Sequence, residues 1–358
     1  MFAKLTELLD SFLEMGVPGY DCIVKLHGET VFRHSGGYAD KENGRRIAGD
    51  ELYYIYSCSK AITCTAAMQL YEKGLFSLDD ELWHYLPEYK YMAVKSNGGA
   101  VPANNRIKVW QLFSMTAGLN YNFRSPSISK VKEASGGKCP TRDIVRAIAS
   151  EPLEYEPGTQ WQYSLAHDVI AALVEELSGK KFNDYVTENI FAPLGMKHST
   201  YILTPEVQSK VAPLYAYNEK SGSFDVYPDN FYILGPEYAS GGAGCMSTVD
   251  DMILFLEALR TGDSIIQKKT VELMTSDRLN ETTRPYYWGN GYGYGLGLRC
   301  PNPAVSARTD FGRGGAAGAW LGIDWTYDYT AYYAQHVIYS PNAPMRAEIP
   351  LLITEELK

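Results

Sequence analysis

The chain has 358 residues, of which 45% are hydrophobic and 21% charged; these values are typical of globular proteins and exclude a disordered or fibrous chain. Its 33 lysines and arginines against 42 aspartates and glutamates give a net charge of -9, which would repel a nucleic-acid backbone. The length allows two folding units or one large unit with two lobes.

The sequence carries no pattern for membrane insertion or export. No apolar run reaches the roughly 20 residues that cross a bilayer, and the first helical segment is acidic where a leader would be basic. Six cysteines are scattered, without a CxxC pair or zinc spacing. We therefore expect a cytoplasmic protein with reduced thiols, no metal, and neither a membrane nor a nucleic acid as partner. The oligomeric state stays open.

The N-terminal part is predicted to contain a helix followed by strands and a second helix. Apolar residues at helical spacing favour an amphipathic first helix, and β-rich runs around a turn favour a hairpin. Good helix formers followed by a glycine favour the second helix. In chain order these elements are a helix over 2–14, a hairpin over 20–38, a strand over 52–55 and an amphipathic helix over 60–73.

The middle of the chain is predicted to be mainly helical, and strands return near the C-terminus. The expected helices are 107–116, 141–150, 163–178, 182–192 and 248–261; the expected strands are 293–298, 307–312, 318–325 and 330–339; a final helix covers 344–357. Strands from both chain ends favour one antiparallel sheet. We therefore predict an α/β sheet domain from 1–80 and 235–358, a mainly helical lobe from 81–234, and a site in the cleft between them.

One serine stands where a predicted strand turns into a predicted helix. Ser57 and Lys60 have SxxK spacing, which occurs five times in the chain and is weak by itself. Only this pair has that strand-to-helix context, where residues three apart share a face and the helix N-terminus adds positive potential. The pattern is typical of a nucleophile with an adjacent base. The alternative is an ordinary N-cap serine beside a solvated lysine.

The sequence around this pair resembles the serine β-lactamase and penicillin-binding-protein family, specifically its class C β-lactamase and family VIII carboxylesterase branch. The resemblance covers nearly the whole chain. It implies an α/β (α+β) fold of the β-lactamase/DD-peptidase type, and no metal or organic cofactor. The motifs that carry it are Ile55-Tyr56-Ser57-Cys58-Ser59-Lys60-Ala61-Ile62, Leu70-Tyr71-Glu72-Lys73-Gly74, Leu78-Asp79-Asp80, Tyr85-Leu86-Pro87, 111–119, Pro193-Leu194-Gly195-Met196, Ser240-Gly241-Gly242-Ala243-Gly244 and 247–251.

The family's second motif, YxN, corresponds to Tyr163-Ser164-Leu165. By this resemblance the Tyr163 phenolate, close to Lys60, takes the proton of Ser57 and later activates water, which requires a lowered pKa. Leu165 replaces the family's asparagine at a substrate-contacting position, which disfavours β-lactam substrates. His167 follows four residues after Tyr163; we interpret it as a structural hydrogen bonder.

The third motif, KTG or HxG, corresponds to Arg313-Gly314-Gly315. The two glycines allow close approach of a substrate, and Arg313 supplies a permanent charge whose fork suits a carboxylate. The alternative for Arg313 is a surface arginine in a glycine turn. By the family pattern, the amides of Ser57 and Ala316 form the oxyanion hole.

These residues predict a serine hydrolase that forms an acyl-enzyme on Ser57, with a carboxylesterase acting on small or medium acyl esters as the first interpretation. A β-lactamase, a D-amino-acid peptidase or an acyltransferase could use the same site. A non-catalytic binding protein of the same fold is a further alternative. The partner is expected to be a small-molecule ester or amide, with an aromatic stretch at 286–294 lining its pocket or packing in the core.

Overall fold

The computed structural model describes residues 1–228, 230–289 and 291–358. The strands are β1 Gly19–Leu26, β2 Glu29–Asp40, β3 Arg45–Arg46, β4 Tyr53–Tyr54, β5 Ala93–Ser96, β6 Gly99–Pro102, β7 Tyr215–Asn218, β8 Ser223–Val226, β9 Met246–Ser247, β10 Gly293–Tyr294, β11 Arg299–Cys300, β12 Phe311–Gly314, β13 Trp320–Asp324, β14 Tyr329–Ala334 and β15 Val337–Ile338.

The α-helices are α1 Ala3–Glu14, α2 Ser59–Glu72, α3 Val109–Phe113, α4 Pro126–Ala134, α5 Thr141–Ala149, α6 Ala166–Ser178, α7 Phe182–Val186, α8 Ala192–Leu194, α9 Pro205–Gln208, α10 Val249–Thr261, α11 Lys268–Met274, α12 Ala343–Arg346 and α13 Ile349–Glu356. A π-helical turn, Thr187–Phe191, joins α7 to α8, and short 3-10 turns include Tyr56–Cys58. No helix in the described ranges has the length and apolarity needed to cross a membrane.

The main sheet is antiparallel and takes strands from both ends of the chain, as predicted. Its strand order is β10-β11-β12-β13-β14-β1-β2-β3. β1 pairs with β14, so that Ile23 lies opposite Tyr332 and Cys22 opposite Tyr333. Because side chains alternate along a strand, each strand contributes to both faces of the sheet. The N- and C-terminal segments are therefore joined at the centre of the sheet.

Helices cover the two faces of this sheet. On one face, α1 and α13 pack Phe12 and Ile353 into a cluster with Val24 and Tyr333. On the other face lies the larger core, to which α2 and α10 contribute. Every residue of α2 from 59 to 70 is buried, so this helix lies inside the core. The prediction that it is amphipathic was wrong. A helix that is buried on all sides fixes the position of its first turn firmly.

The predicted helical lobe, 81–234, also contains strands. β5 and β6 form a hairpin, and β7 pairs in parallel with β15 near the C-terminus. Apolar residues of this segment, such as Leu112 and Leu173, share the larger core with Ile55 and Leu321 of the sheet part. The boundary at 234 remains a prediction, and β7 and β8 make the lobe less purely helical than expected.

Several predicted elements are shorter in the structure. The helix expected over 163–178 begins at Ala166, because the Leu165 amide donates to the carbonyl of Asn120 outside the helix. This leaves Tyr163 in an extended approach to the helix. The helix expected over 107–116 covers α3 only, and the final helix is divided into α12 and α13. The strand expected over 293–298 retains only its first two residues as β10.

The shared core should make one buried leucine important to the whole chain. Leu173 is 0% exposed on α6, so Leu173→Ala should lower the free energy of unfolding by about 2–5 kcal/mol. The matched control is Leu351→Ala on α13, where the side chain is 47% exposed and the change should stay within about 0.5 kcal/mol. Urea unfolding measures the stability of both variants. Equal losses would contradict a hydrophobic core shared by the sheet and the segment 81–234.

Candidate active site

The predicted nucleophile lies on the short 3-10 turn that links β4 to α2. Tyr56, directly before Ser57, has a φ of 46°, a left-handed conformation that costs a non-glycine residue about 1–3 kcal/mol. Its side chain is 2% exposed and packs against the rings of Tyr54 and Tyr232. This packing holds the strained turn, and Ser57 faces a cavity.

The structure brings the three predicted catalytic residues together. Ser57 Oγ lies 2.5 Å from the Tyr163 hydroxyl, and Lys60 Nζ donates to Ser57 Oγ at 3.4 Å. Lys60 Nζ also lies 4.6 Å from the centre of the Tyr163 ring. Lys60 is 0% exposed, so its charge acts on its neighbours with little screening by water. The Tyr163 oxygen therefore lies in position to accept the serine proton, with the Lys60 amine close to both.

Asp168 is a part of the site that sequence reasoning missed. Its Oδ1 accepts hydrogen bonds from Tyr238 (2.7 Å) and Ser240 (2.6 Å), which start the loop that carries Gly242. The Gly242 carbonyl accepts from Lys60 Nζ at 2.5 Å. Asp168 thus positions the acceptor that orients Lys60. An aspartate in the first turn of a helix is common, so its position in the sequence does not indicate this role.

Arg313 lies in the site, and protein groups already accept hydrogen bonds from part of its guanidinium; the predicted binding of a carboxylate there stays a prediction. Arg313 is 6% exposed, and its Nη1 donates to the Tyr294 hydroxyl and the Gly297 carbonyl, both at 2.6 Å. Its Nη2 donates to the Tyr163 hydroxyl at 3.2 Å. Three donors of the guanidinium therefore have protein partners, whereas its buried Nε has none among the described residues. The guanidinium places a second positive charge on Tyr163.

The two cations determine the acidity of Tyr163. Burial favours the neutral phenol and acts to raise the pKa of Tyr163, but Lys60 and then Arg313 oppose it and bring that pKa down to about 8. Burial also lowers the pKa of Lys60, although the Tyr163 phenolate acts in the opposite direction. The phenolate is consequently accessible near neutral pH, which a general base requires.

The end of β12 lies directly against the nucleophile turn. A Cβ on Gly315 would lie 2.4 Å from the Ile55 carbonyl oxygen, so only glycine fits there. A Cβ on Gly314 would meet nothing nearer than 3.6 Å. The Gly315 amide donates to the Ala319 carbonyl at 2.7 Å, whereas no backbone acceptor takes the Ala316 amide among the described residues. Ala316 and Ser57 both line the cavity, which is compatible with the predicted oxyanion hole.

The cavity in front of Ser57 has a volume of about 630 Å³ and a largely aromatic wall. Its aromatic lining residues are Tyr121, Trp161, Tyr163, Tyr232, Tyr287, Trp288, Tyr292, Tyr294 and Trp320. The stretch 286–294 therefore does contribute to the pocket, although Tyr286 does not. Leu165, predicted to contact substrate, is 1% exposed in the core and is not among the lining residues.

Two other residues singled out in the sequence have structural roles. His167 is 0% exposed and lies within hydrogen-bond distance, 3.2 Å, of the Phe113 carbonyl through Nε2. Burial, reinforced by Arg313 and Lys60, holds the pKa of His167 well below its usual value. Cys58 is fully buried, and burial raises the pKa of its thiol to about 12. Its thiol is therefore unreactive, and Cys58 acts as a small core residue.

The close approach of β12 can be tested with adjacent glycines. Gly315→Ala should displace the nucleophile turn, because the added methyl overlaps the Ile55 carbonyl, and should lower kcat/KM by at least about tenfold. Gly314→Ala adds the same methyl without overlapping any protein atom, so it should leave the turn in place and lower kcat/KM less than Gly315→Ala does, through contact with the substrate alone. Ester hydrolysis by both purified variants is the measurement. Equal activities would mean that the turn tolerates the displacement.

Comparisons with known proteins show the family and the fold of the chain. The Beta-lactamase family model matches residues 5–349. Esterase EstB of Burkholderia gladioli is 28% identical over 353 residues, which cover 91% of this chain and 87% of that protein. Penicillin-binding protein 4* of Bacillus subtilis is 26% identical over 305 residues, covering 81% and 61%.

Among solved structures, EstCE1, a hydrolase with promiscuous acyltransferase activity, superposes with a TM-score of 0.81. It is 24% identical and covers 98% of both chains. The predicted β-lactamase/DD-peptidase fold is thus confirmed. The chain belongs to the beta-lactamase family and is a serine hydrolase.

Proposed function

We propose that the chain is a carboxylesterase that forms an acyl-enzyme on Ser57. The observation that carries this proposal is the 2.5 Å contact of Ser57 Oγ with a Tyr163 hydroxyl held between Lys60 and Arg313, at the wall of an aromatic cavity. The arrangement combines a nucleophile, a base of lowered pKa and an apolar space for an acyl or alcohol group.

In acylation, the Tyr163 phenolate removes the proton from Ser57 Oγ while that oxygen attacks the ester carbonyl carbon. The negative charge that develops on the carbonyl oxygen is stabilised by the amides of Ser57 and Ala316. As the intermediate collapses, Tyr163 returns its proton to the departing alkoxide, and the alcohol leaves. Lys60 and Arg313 keep their charges throughout and stabilise the phenolate before and after the transfer.

Deacylation repeats these proton transfers with water in place of the alcohol. Tyr163 takes a proton from water, whose oxygen attacks the acyl carbon on Ser57. Collapse of the second intermediate releases the acid, and Ser57 Oγ recovers its proton from Tyr163. No group outside the chain and its substrates is needed for the proton balance.

Three features favour an ester over a β-lactam or a peptide. Leu165 provides no amide where the family resemblance places one for an acylamino group. Arg313 stands in place of the lysine or histidine of the third motif and is engaged with Tyr163 and Tyr294. The relative EstB is named an esterase. A cytoplasmic location, where neither cell-wall peptides nor β-lactams are normally met, stays a prediction of the sequence.

The nucleophile can be identified with a covalent probe. A fluorophosphonate should label the wild-type chain and not Ser57→Ala, and hydrolysis of p-nitrophenyl butyrate should fall at least about 1,000-fold in that variant. Ser59→Ala, whose hydroxyl accepts from the Cys245 amide away from the cavity, is the matched control and should still be labelled. A wild-type chain that resists labelling and hydrolysis would indicate a binding protein instead.

The substrate class requires a second comparison on the wild-type enzyme. We expect p-nitrophenyl butyrate to be hydrolysed with a kcat/KM at least about 100-fold above that for a chromogenic cephalosporin, because the cavity wall is largely aromatic and the buried Leu165 offers no amide to an acylamino group. Steady-state kinetics at one pH measure the ratio. Efficient cephalosporin hydrolysis would favour the β-lactamase alternative.

The influence of Arg313 on Tyr163 predicts a shift in the pH profile. Because the phenolate is the base, kcat/KM should rise with pH and level off above an apparent pKa of about 8. Arg313→Gln removes one stabilising cation, so this limb should move to higher pH by about one unit or more. Arg313→Lys keeps the charge and should move the limb less. A lower rate with an unmoved limb would reduce Arg313 to a packing role.

A further inference from the structure

The cavity in front of Ser57 has a second, basic end. Besides Arg313, three arginines line it: Arg299, Arg308 and Arg346. They lie beside Tyr292 and Trp320 and next to the helices α12 and α13. This concentration of positive charge is unusual in a chain whose net charge is -9. What this end can bind depends on which of these charges the protein itself balances.

Arg299 is balanced by the protein. Its Nη2 lies 2.9 Å from Asp310 Oδ2, and Asp310 also accepts a hydrogen bond from the Tyr292 hydroxyl at 2.7 Å. Arg299 further lies 4.5 Å from the centre of the Tyr292 ring. The Arg299–Asp310 pair therefore adds no net charge to this end of the cavity.

Arg308 and Arg346 have only neutral partners. Within the described ranges, neither guanidinium has a carboxylate oxygen within 4.0 Å. Arg308 donates to the Tyr292 hydroxyl at 3.2 Å and to the Ala347 carbonyl at 3.5 Å. Arg346 donates through Nε to Asn342 Oδ1 at 3.3 Å. Each guanidinium has five N–H groups, so several donors at this end are left for a ligand.

Two half-buried cations without counter-charges are unfavourable unless an anion joins them, because burial removes their hydration. Burial in fact lowers the pKa of Arg346. A carboxylate would accept two parallel hydrogen bonds from a guanidinium such as that of Arg308. Its apolar remainder would lie along the aromatic wall that connects this end to Ser57.

We propose that the basic end of the cavity binds a carboxylate carried by the substrate, with Arg308 as the principal contact, so that the preferred substrates are esters of carboxylate-bearing acids or alcohols. The proposal rests on the proposed esterase function and adds the substrate class to it. It places at Arg308 the carboxylate recognition that the sequence suggested for Arg313, because the Arg313 charge is already engaged with the Tyr163 base and with Tyr294 and Gly297.

The test uses substrate pairs that differ only in charge. One series is the p-nitrophenyl half-esters of dicarboxylic acids from succinate to sebacate, each compared with its methyl-capped diester. A second series places the carboxylate on the phenol, as in butyrate esters of 4-hydroxybenzoic acid and of its methyl ester. In at least one series the free acid should have a kcat/KM about tenfold or more above the capped partner.

Three variants identify the contact. Arg308→Gln should lower kcat/KM at least about tenfold for the preferred acid, and it should change kcat/KM less than about twofold for the capped partner. Arg308→Lys should retain part of the preference because it keeps the charge. Arg106→Gln, which removes an exposed arginine outside the cavity, should leave both values unchanged.

Two results would overturn the proposal: charged substrates that show no advantage in either series, or an Arg308→Gln variant that loses activity equally on the acid and on its capped ester. Turnover of neutral esters would in both cases leave the proposed esterase function intact. Binding of 4-phenylbutyrate and 4-phenylbutanol, measured by calorimetry, separates the two failures, because it needs no catalysis. Tighter binding of the acid that disappears in Arg308→Gln supports the basic end even if no ester is hydrolysed. Equal binding of both compounds contradicts it.

Discussion

The Tyr163 hydroxyl is the point on which the site depends. It contacts the nucleophile Ser57, accepts a hydrogen bond from Arg313 and lies beside the buried Lys60. Two buried cations near one phenol make its ionisation favourable, because the phenolate balances charge that water cannot reach. The electrostatic condition that stabilises the two cations thus also produces the base.

This electrostatic balance explains why the site needs residues from three segments of the chain. Ser57 and Lys60 come from the N-terminal segment, Tyr163 from the middle and Arg313 from the C-terminal sheet. A Cβ at position 242 would lie 2.7 Å from Asp168 Oδ2 and 3.3 Å from Lys60 Nζ, so the two charges face each other across a glycine. Displacement of any one segment would leave the charges on the other segments uncompensated. A single core beneath all of them keeps the arrangement rigid.

The sequence predicts which residues form this site better than it predicts the contacts between them. The strand-to-helix context of Ser57 and Lys60 and the resemblance around Tyr163 identified residues that the structure brings within hydrogen-bond distance. Asp168 was missed because it acts through Tyr238 and Ser240, which lie about 70 positions away and have no local pattern. The role of Arg313 depends on Tyr294 and Gly297, so a motif alone could not decide between a free fork and an occupied one.

The choice of arginine at position 313 has a consequence for the substrate. A lysine there could lose its charge on burial, whereas a guanidinium stays charged and holds Tyr294, Gly297 and Tyr163 at once. These contacts make Arg313 part of the charge balance around the base, so a carboxylate bound there would compete with the Tyr163 phenolate. Recognition of a charged group is better served by cations farther along the cavity wall. Arg308, whose partners are neutral, is placed to supply it without disturbing the charge balance around Tyr163.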